Sequence, residues 1–278
     1  MTATERALPS FRKPPLTEVA LSVQWEPLPN FGVQHFGLLW EHFRDRFPNV
    51  QHHGELAPMM ERKGAPSPAN EPQIQFGRAP MPRLWFVDAN NRELLQIQKD
   101  RFARNWRKVQ APDAYPHYED YIRPAFASDF HLVSKFLEEQ GVGELIPNQC
   151  EIVYVNQIES GIAWREHSEL GSLFAGGLAV PELSCGVDAE QGNFDLTYSM
   201  TNSENAFVGR LRISCSPAIR QADGVPGYQL RLAARGWPLS QDMHGALAFL
   251  DLGREKIVRA FTELTSPAMH RIWEREDV

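Results

Sequence analysis

Apolar and polar positions alternate over residues 16–25, where Val19, Leu21 and Val23 interleave with Glu18, Ala20, Ser22 and Gln24. That period of two predicts a half-buried strand. From about residue 31 to 47 the period changes, and Phe36, Leu39, Trp40, Phe43 and Phe47 recur at three- and four-residue steps. This predicts a helix whose wide aromatic stripe faces a core, stopped by Pro48. Residues 48–82 hold seven prolines and little periodicity, which predicts a long surface loop with one short strand at 73–76. A hairpin is expected over 83–99, turning at Asn90-Asn91, because asparagine tolerates the positive φ of a tight turn. A further strand segment continues through 100–108. Residues 115–140 return to the helical period, with Tyr118, Ile122, Phe126, Phe130, Val133 and Leu137 on one side and a kink or restart at Pro124.

The second half repeats the order. A strand over 146–158 is followed by a short helical piece at 163–174. Further strands are expected near 183–187, 193–200, 206–214 and 228–234, with turns at 191–193 and 223–227. A long helix over 242–264 follows, and Ser266-Pro267 reads as an N-cap with proline in the first turn of a last helix through Trp273. The expected fold class is therefore α+β, built from two tandem similar halves. Each half runs strand, helix, antiparallel strands and long helix, packed into one pseudo-symmetric unit with helices on one face. The expected boundaries are a disordered leader at 1–13 and halves at 14–143 and 144–278.

Composition adds limits. With 278 residues, 42% hydrophobic and 23% charged, the chain is ordinary globular material, long enough to bury a core without disulfides or a metal. No run approaches the roughly 18 apolar residues of a membrane span, and the first residues lack a secretory pattern, so a soluble, cytoplasmic protein is expected. Cys150, Cys185 and Cys215 are odd in number with no CxxC spacing, which suggests neither a disulfide framework nor a zinc site. Cys150 and Cys215, in apolar or alternating runs, read as small buried hydrophobes rather than reactive thiols, in a reducing compartment. A net charge of −7 argues against bulk electrostatic coating of nucleic acid or an anionic membrane.

Candidate chemistry is sparse. GxGxxG, GxxxxGK[ST], GxSxG and HExxH are all absent from the sequence, which weakens the nucleotide-binding, hydrolase and zincin readings. The densest polar stretch holds Lys99, Arg101, Arg104, Arg107 and Lys108 around Phe102 and Trp106. Such residues suit phosphates and stacked bases or a partner's carboxylates. They suit equally a solvated strand face with its aromatics turned inward. His52-His53 with Glu55 reads as a surface pair rather than a metal site, because adjacent histidines do not chelate from a regular face. Glu166, His167 and Glu169 stand close enough for acid–base work, or as an exposed helix face. His270 and Trp273 read as packing.

Several stretches together carry a resemblance: Pro15-Leu-Thr-Glu-Val19; Gln98-Lys-Asp-Arg-Phe-Ala-Arg-Asn-Trp-Arg107 with Tyr115 and Tyr118; Tyr154-Val-Asn156; and the terminal segment from Ile257 to Trp273. They resemble a sporadically distributed, functionally uncharacterised prokaryotic family of about this length. Asp-Arg-Phe-x-x-Asn-Trp is the most specific part. The resemblance implies no activity and no catalytic residue. Its patchy distribution implies an association with horizontally transferred defence or toxin-linked genes. Arg254 departs from the family pattern, in which histidine is usual there.

The expectation from sequence is a non-enzymatic intracellular binding or regulatory protein with a protein partner and no cofactor or metal. Its recognition surface would comprise Lys99, Arg101, Arg104, Asn105, Trp106, Arg107, Tyr154 and Asn156. A nucleic-acid-binding protein using segment 99–108 is one alternative, and an enzyme using Glu166 and His167 is another. A dimer is the default assembly.

Overall fold

The computed structural model describes residues 7–64, 81–110, 113–162, 164–176, 185, 187, 190–219 and 224–276. Its strands are β1 (Ser10–Phe11), β2 (Leu16–Trp25), β3 (Asn49–His53), β4 (Arg83–Val87), β5 (Glu93–Gln98), β6 (Arg101–Arg107), β7 (Pro147–Glu159), β8 (Phe194–Thr201), β9 (Phe207–Ile219), β10 (Pro226–Gly236) and β11 (Arg275–Glu276). The α-helices are α1 (Val33–Glu41), α2 (Arg123–Glu139), α3 (Met243–Leu264) and α4 (Pro267–Ile272). The class is mixed α+β, with 28% helix and 36% strand. Among the described residues, no helix is long and apolar enough to cross a membrane.

Among the described residues, nine strands form one antiparallel sheet in the order β3-β4-β5-β6-β2-β7-β10-β9-β8. Strands from the first half of the chain occupy one side and those from the second half the other. The two sides meet where β2 pairs with β7, setting Val19 opposite Tyr154, Leu21 opposite Ile152 and Val23 opposite Cys150. Alternation then sorts the side chains. Val19, Leu21, Val23 and Trp25 of β2 face the helices, as do Phe102 of β6 and Ile152 of β7. Glu18, Ser22 and Gln24 face the other way.

The helices cover the apolar face. Phe102 packs on Phe126 and Phe130 of α2 with ring centroids 5.5 and 5.9 Å apart, and Trp25 packs on Phe130 at 6.3 Å. On the second side α3 approaches closely at Gly253. A Cβ there would lie 2.7 Å from Ile152 Cγ2 and 3.0 Å from Ala234 Cβ, so glycine is needed for the contact. The buried apolar residues of both halves form one continuous core. Truncating a phenylalanine in such a core costs about 3–5 kcal/mol.

Local chemistry explains the element ends. Asn91 takes φ 57° in the β4–β5 turn, while Asp88 Oδ1 accepts from the Glu93 amide at 3.0 Å. Asp242 caps α3 by accepting from the Gly245 amide at 2.6 Å. Ser266 caps α4, with Pro267 in its first turn.

Several expectations need correction. The helix expected over 31–47 ends at Glu41, and turns carry Phe43 and Phe47 into the core. The proline-rich loop contains β3, whose sequence Asn-Val-Gln-His-His lacks an apolar face because it is an edge strand largely exposed on both sides. Of the two alternatives at Pro124, the structure takes the restart: Pro124 lies in the first turn of α2, after a π-turn over Tyr118–Ile122, and kinks no helix. The leader is ordered earlier than residue 13. Ser10 and Phe11 pair with Glu276 and Arg275, and the Phe11 ring packs on Phe261 at 5.4 Å. The strands expected at 73–76 and over most of 183–187 lie outside the described residues.

Cys150 and Cys215 are buried and Cys185 is exposed. Burial pushes both buried thiols up, Cys215 to about 12. Since the thiolate is the reactive form, a disulfide reagent at pH 8 should titrate one thiol quickly in the native protein and three in denaturant. Two or three thiols reacting quickly in the native protein would contradict this placement.

Candidate functional site

On the helix side of the sheet, a cavity of about 390 Å³ lies between β7, β10, α3 and the N-terminal segment. The volume falls within the range of small-molecule sites. Alternation along β7 brings Tyr154 and Asn156 to its floor, 7% and 3% exposed respectively. Leu16, Leu232, Ile257 and Phe261 supply apolar wall, and Ala7–Phe11 runs along its rim. The cavity therefore sits at the junction of the chain's two halves.

The polar groups come from three places. Tyr115, in the approach to α2, places its hydroxyl 3.1 Å from that of Tyr154 and its ring edge-on to Trp106 at 5.6 Å. His117 follows with φ 62° and ψ 149°, a conformation nearly confined to glycine. Strain of this kind costs about 1–3 kcal/mol and clusters at functional sites. The π-turn after it presents Glu119 to the cavity and points Tyr118 at Asp251 of α3, with the hydroxyl donating at 2.9 Å. Arg123 grips the same carboxylate through two nitrogens at 2.7 and 2.9 Å.

Arg254 stands three residues further along α3. Its guanidinium lies 4.9 Å from the Tyr118 ring centroid and bridges Glu119 at 2.5 Å. Its Nε is buried and makes no hydrogen bond among the described residues. Burial holds Tyr115, Tyr118 and Tyr154 above the usual tyrosine range. The Tyr154 hydroxyl raises Tyr115 further and the Asp251 carboxylate raises Tyr118 further, while Tyr115 and Arg254 partly offset the effect at Tyr154. These hydroxyls stay protonated at physiological pH. The arrangement offers phenol donors, one amide and one partly committed guanidinium within apolar walls. It holds neither a nucleophile paired with a base nor a cluster of metal ligands, and no metal-ligand cluster occurs among the described residues.

The eight residues expected to form a single recognition surface are divided by the sheet. Tyr154 and Asn156 lie at the cavity. Arg104 and Trp106 point to the helix side but are 4% and 5% exposed. Arg104 is held by Asp129, by Glu93 at 2.5 Å and by Tyr121 at 3.2 Å. Asn105, also 4% exposed, donates to Glu18 Oε1 at 2.5 Å and accepts from Gln96 Nε2 at 2.9 Å on the opposite face. These three are interior residues of a strand paired on both edges, which corrects the expectation of an exposed basic face. Lys99 pairs with Glu55 at 2.6 Å, Arg101 donates to Gln24 Oε1 at 2.6 Å, and Arg107 donates to the Asn91 carbonyl at 2.9 Å.

The alternative catalytic pair is also reassigned. His167 Nδ1 lies 2.7 Å from the buried Tyr228 hydroxyl, Glu166 is exposed, and no hydrogen bond joins the two among the described residues. Glu169 instead accepts from the Arg165 and Glu166 amides and starts a 3₁₀ turn over His167–Leu173. His53 stacks on Trp85 at 3.8 Å, and burial and Arg83 lower its pKa.

Sequence reasoning missed Arg254 and Glu119 as site residues and used Tyr115 only as part of a resemblance. Their convergence depends on α3 docking over β7, which no local pattern encodes. No protein-family model, curated protein or solved structure matches the chain.

Two outcomes test these placements. Arg104→Ala leaves Asp129, which is 1% exposed, with only the half-exposed Arg46 as a charged partner, and should cost about 1–3 kcal/mol in urea unfolding. Arg107→Ala should cost no more than about 0.5 kcal/mol. Equal small effects would contradict a buried Arg104.

The raised tyrosine pKa values give a second test. The stability they hold is fully present below the unfolded tyrosine value of about 10 and is lost as pH rises past it toward the higher folded values. Native tyrosinate absorbance should therefore stay low above pH 10 until the protein unfolds. Tyr115→Phe should flatten the alkaline loss of stability, and an unchanged slope would contradict burial of that hydroxyl.

Proposed function

We propose that this is a non-catalytic binding protein of the cytoplasm. Its ligand is a small amphipathic molecule with an apolar body and a carboxylate or similar anionic oxygen group, and its bound state is read by a protein partner. The observation that carries this reading is the convergence of Tyr115, Tyr154, Asn156 and Arg254 on one cavity with apolar walls. Protonated phenols and a guanidinium donate hydrogen bonds, so they favour acceptor oxygens. Glu119, whose side chain is 62% exposed, occupies Arg254 in a pairing that a ligand carboxylate can replace. The apolar wall would accept the rest of the molecule.

A regulatory role draws support from the cavity's position. It touches the N-terminal segment, the π-turn, β7 and α3, so one bound molecule would tie together elements from both halves. We read these halves as a structural repeat. In each, the first strand pairs with the last strand of its own meander, β2 with β6 and β7 with β10, and the meander runs outward from there. The acidic chain and the internal pairing of Arg104 and Lys99 favour this reading over nucleic-acid binding.

The test is native purification from the source cells, followed by extraction and mass spectrometry of small molecules. A roughly stoichiometric acidic compound should accompany the wild-type protein and be depleted at least tenfold from Arg254→Gln and Tyr154→Phe. Absence of any such compound, or equal retention by both variants, would overturn the proposal.

A further inference from the structure

The face of the sheet opposite the helices is polar and carries an extended stretch of the chain's own backbone. Residues 54–62 have no regular secondary structure. Leu56, Ala57 and Pro58 are exposed, and Glu61 alone in this stretch is buried, at 1%. No backbone–backbone hydrogen bond ties the stretch to a strand among the described residues. Side chains of the sheet hold it instead.

Those side chains form a straight rank. Gln98 of β5 lies opposite Arg101 of β6, Arg101 opposite Gln24 of β2, and Gln24 opposite Gln149 of β7. They contact the segment in the same order as its sequence. Gln98 accepts from the Leu56 amide at 2.9 Å and donates to the Leu56 carbonyl at 2.8 Å. Arg101 donates to the Ala57 carbonyl at 3.3 Å. Gln24 accepts from the Met59 amide at 3.0 Å, and Gln149 from the Glu61 amide at 2.8 Å. Two strands beyond, Arg210 donates to the Arg62 carbonyl at 2.8 Å and, with Arg212, clamps the Glu61 carboxylate.

The spacing fits this reading. Three inter-strand steps of about 4.8 Å span about 14 Å, and the five residue-to-residue steps from Leu56 to Glu61 cover about 16 Å when extended. A peptide crossing the strands at a right angle thus meets one amide or guanidinium per strand. Contacts made to main-chain groups tolerate many side chains, and the arginine pair demands an acidic one.

We propose that this face is a peptide-binding groove, that residues 55–62 occupy it as an internal ligand, and that an extended partner peptide anchored by a glutamate displaces them. The segment contributes little apolar surface, so leaving the groove breaks side-chain hydrogen bonds and the Glu61 ion pairs, which a partner's glutamate would replace, but does not open the core. The groove lies on the opposite side of the sheet from the cavity, and the proposal stands independently of the cavity's ligand.

Two measurements decide it. In wild-type protein, the Leu56, Met59 and Glu61 amides should exchange with deuterium at least a hundredfold faster than β2 amides, because the segment lifts off an intact sheet. Exchange together with β2 would make the segment an integral part of the fold and overturn the proposal. In the second, a fluorescent peptide of residues 54–64 is titrated by anisotropy against full-length Glu61→Gln protein, whose own anchor is weakened. It should bind saturably and at least tenfold more tightly than to wild type, and a peptide with Glu61→Gln should bind at least tenfold more weakly. No binding, or equal binding of both peptides, would overturn the proposal. Should Glu61→Gln fail to fold, the exchange measurement on wild type decides alone.

Discussion

The antiparallel pairing of β2 with β7 is the contact on which the rest of the molecule depends. Each half of the chain makes a meander, but only this pairing joins them into one nine-stranded sheet among the described residues. Its register sets Val19, Leu21 and Val23 beside Tyr154, Ile152 and Cys150, so the apolar residues of both halves reach the same face. A one-residue slip would send one half's core to the wrong side. The same register places Tyr154 and Asn156 beneath α3 and, on the reverse face, lines Gln24 up with Arg101 and Gln149. The cavity and the polar groove are thus two consequences of one alignment.

Charge inside this structure is arranged in paired groups. Asp129 neutralises Arg104 within the helix layer, with Arg46 adding a second contact at 2.6 Å. Glu151 meets Arg235 at 2.7 Å, and Glu61 meets Arg210 and Arg212 on the polar face. Breaking such pairs exposes the cost of an unmatched buried charge. Arg101 and Arg104, which make segment 99–108 look like a nucleic-acid surface, are therefore committed within the molecule, as are Arg210, Arg212 and Arg235 of the later strands. Arg254 differs, since its partner Glu119 is largely exposed and its Nε is unused among the described residues.

Much of the fold was legible where one face of an element is buried. The alternation of β2, the hairpin turning at Asn91, β7, and the capped starts of α3 and α4 follow local patterns that the structure keeps. β3 was illegible because an exposed edge strand needs no apolar alternation. β1 and β11 are two residues each and exist only through pairing of distant segments. The run from Phe102 to Trp106 misled because strand position, not composition, decides exposure. A basic strand between two others buries arginines that the same sequence at an edge would expose. Of the candidate site, Tyr154 and Asn156 were legible as a strand motif, whereas Arg254, Glu119 and Tyr115 join them only through docking of α3 and the π-turn.

The most direct measurement of this account is residue-resolved hydrogen exchange of the backbone across the β2–β7 seam. Amides of Val19, Leu21, Ile152 and Tyr154 are predicted to exchange only with global unfolding, at one common free energy shared by β6 and β10. If residues 144–278 instead opened as a separate unit while β2 stayed protected, the two halves would be independent domains. The seam would then not be the constraint that builds both sites.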